Sequence, residues 1–251
     1  MPPLDFSFFA LAIPAVVFAG VSKGGFGSGA AFASGAILAL IMEPAAAIGL
    51  MLPLLMVIDL ATLRPYWRRW NASEAWLLIA GSVPGIFLGA LFFRTANTDH
   101  LRLLIGGIAL LFVVWQILGR AGMIRVGTRP FSRVGGAIAG VVVGFTSFVA
   151  HAGGPAAAVY LLSKRPAKTE FQATSVLVFW INNLLKAIPY GWLGMFTLET
   201  LYAGLWLAPF ALLGTWLGVR AHFAISERAF FALTYVLLTV TGAKLVWDGL
   251  T

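Results

Sequence analysis

Four ionisable side chains stand apart from the rest of this chain. Lys23, Asp59, His151 and Lys186 lie within long apolar runs, whereas nearly all other charged residues fall at the ends of such runs, where a side chain reaches water. A charge at the centre of a bilayer costs about 2.5–3.5 kcal/mol or more, so an ionisable residue at that depth is a functional candidate by default. Lys23 sits in the glycine-dense tract Gly20-Val-Ser-Lys-Gly-Gly-Phe-Gly-Ser-Gly29, and His151 in a second tract, Gly144-Phe-Thr-Ser-Phe-Val-Ala-His-Ala-Gly-Gly-Pro155. Glycine is worse than alanine inside a helix by about 1 kcal/mol, so two clusters of it mark places where helices stop. A broken helix bares N–H and C=O groups, which survive at membrane depth only inside protein or along a wet cavity. Beyond each break a half-helix can restart, capped by Ser28 in the first tract and carrying Pro155 in its first turn in the second. Helix N-termini attract anions. The expected site is a small cationic pocket for an anionic substrate. Lys23, Gly24, Gly25, Gly27 and Ser28 come from one break, and Ser147, His151, Gly153 and Gly154 from the other. The hydroxyls of Ser22 and Thr146 can add donors. The competing reading is a pair of tight helix crossings with an outward-reaching Lys23 and a satisfied core His151. A buried lysine without an anion is costly, which favours the pocket.

Asp59 and the Asn182-Asn183 pair stand 124 residues apart, and each is followed by a basic residue, Arg64 and Lys186. Asp59 is expected to pair with Arg64 near the cytoplasmic edge, in preference to serving as a proton or cation relay. Asn182 and Lys186 share a helix face at i, i+4. With Asn183 they either line the permeation path or, for Lys186, reach the outer surface. Other chemistry finds little support. No G-x-x-x-x-G-K-[ST] phosphate loop is present, no H-E-x-x-H motif, and only three separated histidines, so neither a cofactor nor a metal site is expected. Ser147 and His151 at i, i+4 leave an intramembrane serine hydrolase as one rival, which would need a hydrogen-bonded nucleophile and base plus an oxyanion hole. A non-transporting scaffold is the other.

These residues need elements to hold them. With 60% hydrophobic and 10% charged residues and a mean hydropathy of +0.93, the chain falls far from the roughly 25% charged residues of a soluble domain. It reads as an all-α polytopic membrane protein. Met-Pro-Pro-Leu-Asp at the start lacks a basic n-region and cleavage site, so the segment is expected to be retained. The absence of cysteine excludes disulfides and thiolate chemistry. A bilayer span takes about 20 apolar residues, which gives full spans near 45–63, 75–93, 101–118, 171–190, 199–220 and 229–249. Two stretches, 6–42 and 134–163, are too long or too interrupted and read as broken-helix, re-entrant-like hairpins. If each hairpin returns the chain to its starting side, twelve of the 17 Lys and Arg residues fall on one face. They include Arg64, Arg68 and Arg69, the arginines of 119–133, and Lys164, Arg165 and Lys168; the other face holds only Arg94, Arg102 and Lys244. That asymmetry marks the first face as cytoplasmic and places both termini outside the cytoplasm. Basic residues confined to short loops offer no track for nucleic acid.

Each half is then a hairpin plus three spans: 1–118 the first repeat, 119–133 a cytoplasmic linker, 134–251 the second, in one compact membrane domain. Starting from opposite sides, the halves form two inverted repeats. Residue matches support duplication. At an offset of 124, Gly20 meets Gly144, Gly29 meets Gly153, Leu38 meets Leu162 and Pro65-Tyr66 meets Pro189-Tyr190; at 125, Pro84 meets Pro209 and Leu88-Gly89 meets Leu213-Gly214. Small-xxx-small sets at Gly81/Gly85/Gly89, Gly136/Gly140/Gly144 and Gly214/Gly218 predict close helix packing. Trp67, Trp70, Trp192 and Trp247 read as interfacial anchors.

Several of these motifs together resemble the sulfite exporter TauE/SafE family of bacterial membrane transporters, over nearly the whole length. The residues that carry the resemblance are Ser22-Lys-Gly-Gly-Phe-Gly27, Leu52-Pro53 with Asp59, Tyr66-Trp-Arg-Arg69, Pro84-Gly-Ile-Phe-Leu-Gly89, His151-Ala-Gly-Gly-Pro155, Asn183 through Lys186, and Pro189-Tyr190. Gly27-Ser-Gly-Ala30 stands where a Gly-Gly-Gly version is commoner. The resemblance implies export of sulfite or a small organosulfonate such as sulfoacetate from a bacterial cell across its inner membrane, and the missing phosphate loop fits transport without ATP. The expectation is a secondary transporter or facilitator working by alternating access, with the lipid bilayer and a small anion as its partners and a homodimer allowed for.

Overall fold

A computed structural model describes residues 2–26, 30–123, 130–221 and 227–251. Among the described residues every regular element is a helix. In chain order they are α1 (Phe6–Val21), a π-helical turn (Ser22–Phe26), α2 (Phe32–Leu38), α3 (Pro44–Leu63), α4 (Ala72–Thr95), α5 (Thr98–Arg120), α6 (Arg133–Ala150), α7 (Gly154–Ser163), α8 (Lys168–Trp192), α9 (Leu198–Ala221) and α10 (Glu227–Leu250). Helices cover all six stretches read as full spans: α3, α4, α5, α8, α9 and α10.

Local chemistry sets the helix starts. The side chains of Asp5, Asn71, Asn97 and Ser132 accept from the N–H groups of Phe8, Glu74, His100 and Gly135, satisfying donors that the first turn leaves free. Pro44 and Pro155 occupy the first turns of α3 and α7, where a missing N–H does no harm. Proline lies within α1, α3, α4, α8 and α9 without ending them, as neighbours in a membrane bundle permit.

Among the described residues six helical segments are long and apolar enough to cross a bilayer: α3, α4, α5 and α9, which were read as full spans, and the longer hairpin arms, α6 and α1 continued to Gly25; α8 and α10, also read as full spans, are not among them. The outer faces of the six carry large apolar side chains such as Phe87, Leu111 and Leu205, each at least two-thirds exposed. Such a surface is stable in lipid and not in water. The protein is therefore a polytopic α-helical membrane protein.

Both interrupted stretches fold back on themselves. At about 1.5 Å per residue, the 16 residues of α1 and the 18 of α6 nearly cross a bilayer, while α2 and α7, with 7 and 10 residues, reach only part of the way. Ser34 Oγ donates to the Ala15 carbonyl at 2.6 Å, which fastens α2 along α1. Glycine lets these hairpins sit tightly against the full spans. A Cβ on Gly20 would lie 2.6 Å from the Ala211 carbonyl oxygen, and one on Gly140 would lie 2.8 Å from the Gly81 Cα. Hence α1 packs on α9, and α6 packs on α4, by direct backbone approach. α5 packs on α10, and α3 lies against both α8 and α9.

Candidate functional site

The two breaks end in different ways. Past Val21 the first hairpin widens into the π-helical turn that carries Lys23; Gly27 and Ser28, read as ligands, lie outside the described residues, and the expectation that Ser28 caps the next helix is corrected, since α2 starts at Phe32 with Ala31 as its N-cap and no side-chain cap bond. The second break is a left-handed C-cap. His151 has φ 54°, and the N–H groups of His151 and Ala152 bond back to Ser147 O and Thr146 O at 3.0 Å each. Glycine usually holds that conformation, since a side chain there costs of order 1 kcal/mol.

Those two ends meet. Lys23, Ala31, Leu55, Ser147, His151, Phe179, Asn183 and Lys186 enclose one cavity, with about 10 Å³ for the centre of a water-sized solute. That is room for about one water molecule. α2 closes against the second break, since a Cβ on Gly35 would fall 3.9 Å from His151 Cδ2.

Two polar networks line this space. In the first, Lys23 forms an ion pair with Asp59 on α3, whose other carboxylate oxygen accepts from Asn183 Nδ2 at 2.6 Å. The Lys23 ammonium also lies 5.9 Å from the Phe179 ring centroid, and the Lys23 carbonyl accepts from Gln172 Nε2 at 2.9 Å. In the second, Lys186 Nζ is 3.0 Å from each of Ser147 O, Ser147 Oγ and His151 Nδ1, while His151 Nε2 is 3.0 Å from the Ile48 carbonyl. Lys186 adds a second donor to Ser147 O, beside the His151 N–H, and one turn on Tyr190 holds Phe148 O, a carbonyl at the end of α6. A cation at a helix C-terminus also meets the favourable end of its dipole.

The expectation of an Asp59–Arg64 pair is corrected. Five residues along a helix turn by about 140°, so the two side chains point to different sides. Asp59 is fully buried, whereas Arg64 is exposed at the end of α3. Lys186 is fully buried as well, so it does not reach the outer surface.

The remaining candidates divide by environment. Ser147, His151 and Asn183 line the cavity with the two lysines. Gly24 and Gly25 instead sit against α9, where a Cβ on Gly24 would lie 2.6 Å from Thr215 O. Gly153 permits the tight return of the chain, since a Cβ there would lie 2.9 Å from Val143 O and 3.0 Å from Phe179. Gly154, the first residue of α7, and Ser22, in the π turn, are buried outside the cavity wall. Thr146 turns away and donates to Val142 O. Asn182 is fully buried, and neither polar atom of its amide has a partner among the described residues. Sequence reasoning had no signal for Phe179 or Leu55, which look like any other apolar residue of a span.

The Ser147–His151 nucleophile–base pair of the hydrolase reading does not form, because the two nitrogens of His151 bond to Lys186 Nζ and the Ile48 carbonyl instead. An all-helical membrane bundle closed around a charged cavity has the plan of a transporter. The family model described as sulfite exporter TauE/SafE matches residues 12–245. The chain belongs to that family of sulfur-anion exporters, which are membrane transporters and not enzymes. No curated protein and no solved structure matches it.

Proposed function

We propose that this protein exports sulfite or a small organosulfonate, such as sulfoacetate, across a bacterial inner membrane by alternating access. The observation that carries this reading is the cavity lined by Lys23 from the first helix break, Ser147 and His151 from the second, and Lys186 from α8. In the closed form it holds no more than about one water, so the anion enters only when one hairpin parts from the other. Lys23 and Lys186 supply charge, Ser147 and Asn183 supply hydrogen bonds, and His151 supplies one once opening frees its Nε2 from the Ile48 carbonyl. Gly24, Gly25, Gly27, Ser28, Gly153 and Gly154 contribute backbone donors in the opened forms.

The moving units are the two inverted repeats, 1–118 and 134–251, joined by 119–133, with both termini on the periplasmic side. The packing supports that division. Exchanging each helix of one half for its counterpart converts the α1–α9 contact into α6–α4, and α3–α9 into α8–α4; α3–α8 and α5–α10 convert into themselves. The matched glycines Gly20 and Gly144 sit at equivalent crossings, each too close to a backbone oxygen to carry a side chain.

Efflux from proteoliposomes loaded with sulfite tests the site. Lys23→Ala and His151→Ala are each expected to cut flux at least about tenfold at equal expression, the loss of one charge-assisted hydrogen bond in a dry site. Unchanged flux in both variants would remove the site.

A further inference from the structure

The charge of the cavity follows from its hydrogen bonds. An ammonium has three donors and no acceptor, and Lys186 has three acceptors at 3.0 Å: Ser147 O, Ser147 Oγ and His151 Nδ1. His151 Nδ1 is therefore unprotonated. Its Nε2 carries the ring proton and donates it to the Ile48 carbonyl, so the ring is neutral. Asp59 faces a donor at each oxygen, the Lys23 ammonium and Asn183 Nδ2, as an ionised carboxylate requires. Ala31, Leu55 and Phe179 complete the wall without charge. Tyr190, with its ring 6.3 Å from that of His151, spends its hydroxyl on Phe148 O. Two ammonium groups and one carboxylate leave a single positive charge.

An unbalanced charge among side chains so deeply buried is strongly disfavoured. The geometry points to a site that, once the hairpins part to make room, accepts a singly charged anion, a sulfonate R–SO3⁻ or hydrogensulfite, and rejects the doubly charged sulfite and sulfate ions, with Asp59 setting that valence. This rests on the anion site proposed above. A monoanion makes the filled cavity neutral, whereas a dianion leaves one negative charge over. His151 cannot supply the missing proton, because its open nitrogen faces the Lys186 ammonium. Asp59 also holds Lys23 when no substrate is present, so the empty cavity does not carry two unbalanced cations.

Calorimetric titration of the purified full-length protein in lipid nanodiscs separates the valences. Methanesulfonate is always singly charged and sulfate doubly charged near neutral pH, while sulfite passes from one form to the other. Methanesulfonate is expected to bind at least about tenfold more tightly than sulfate. Sulfite affinity is expected to fall by about tenfold per pH unit once the dianion prevails. Asp59→Asn, which leaves two positive charges, is expected to shift the preference towards sulfate by at least about tenfold; should that variant fail to fold, the wild-type pH profile decides. Sulfate binding as tightly as methanesulfonate, or sulfite affinity rising with pH, overturns the inference alone, provided Lys23→Gln and His151→Gln weaken that binding. Anion binding that those two variants leave untouched, or no binding of any of the three anions, overturns the anion site and the inference with it.

Discussion

Asn182 is the least comfortable residue in the protein, and replacing it tests whether the closed cavity is held under tension. It is fully buried, and its Oδ1 and Nδ2 both lack partners among the described residues. On α8 it borders the face that carries Phe179, Asn183 and Lys186 to the cavity, offset from Phe179 by about 60° around the helix axis. A buried polar group without a partner costs about 1–3 kcal/mol, so two such groups place the closed state about 2–6 kcal/mol above one with an apolar side chain of similar size. Asn182→Leu removes both groups. In a chain of this length each kcal/mol moves the unfolding midpoint by about 2–4 °C, so a rise of at least about 4 °C is expected when tryptophan fluorescence is followed on heating in detergent. Opening admits water, which satisfies the asparagine amide but offers nothing to leucine. The variant is thus expected to open less readily and to slow sulfite efflux from liposomes by at least about tenfold, since each 1.4 kcal/mol is a factor of about ten. A lower midpoint with unchanged flux would refute the reasoning, because it would mean that the amide is hydrogen-bonded in the membrane, to a water held beside α8.

Three further perturbations address single contacts. Gly140→Ala puts a Cβ 2.8 Å from both the Gly81 Cα and the Leu78 carbonyl oxygen, so α4 and α6 must separate; a loss of about 1–3 kcal/mol is expected, read as a lower unfolding midpoint, whereas Gly107→Ala, with open space around it, should change little. His151→Gly and His151→Ala both delete the imidazole, but only alanine keeps a Cβ in the left-handed conformation; the glycine variant is expected to be more stable by about 1 kcal/mol on heating. Lys186→Met removes the charge and leaves Ser147 Oγ and His151 Nδ1 without the donor they share; anion-dependent thermal stabilisation is expected to vanish, and its persistence would show that Lys23 alone suffices.

What the sequence made legible were features that repeat or that break a pattern. The spans follow from twenty-residue apolar runs, and the breaks from glycine density, because both are local properties of the chain. The partners of the buried charges were hidden, because each choice depends on a turn that the sequence does not display. Lys23 reaches Asp59 only because the helix widens into a π turn at Ser22. Lys186 reaches Ser147 only because α8 crosses the free end of α6. Asn182 and Asn183 are chemically identical, yet one residue is 100° of helix, which leaves one amide on Asp59 and the other unpartnered. Glycine is ambiguous for a further reason. It serves both to stop a helix and to let two backbones touch, and Gly24 and Gly25, read as anion ligands, take the second role against α9 in the closed state.

The contact between Asp59 and Asn183 carries the most about how the halves work together. They are 124 residues apart, the offset at which the halves match, and Asn183 Nδ2 lies 2.6 Å from an Asp59 oxygen. Residues related by a two-fold axis meet only where the axis passes between them, so the proposed axis runs through this hydrogen bond. There the two halves carry nearly isosteric side chains that differ by one charge, and that difference sets the charge of the cavity. Exchanging the residues, as Asp59→Asn with Asn183→Asp, returns the carboxylate to the axis from the other half. Position 183 lies one helical turn before Lys186 and already lines the cavity beside Lys23. Asp59→Asn alone leaves Lys23 buried without its counter-ion, a loss of about 3–5 kcal/mol in typical buried pairs, so it is expected to lower both the unfolding midpoint and sulfite efflux. The double exchange is expected to restore most of both, with a coupling between the two sites of at least about 1 kcal/mol. Losses that simply add would mean that Lys23 can be served only from α3, and the symmetry argument would fail at its centre.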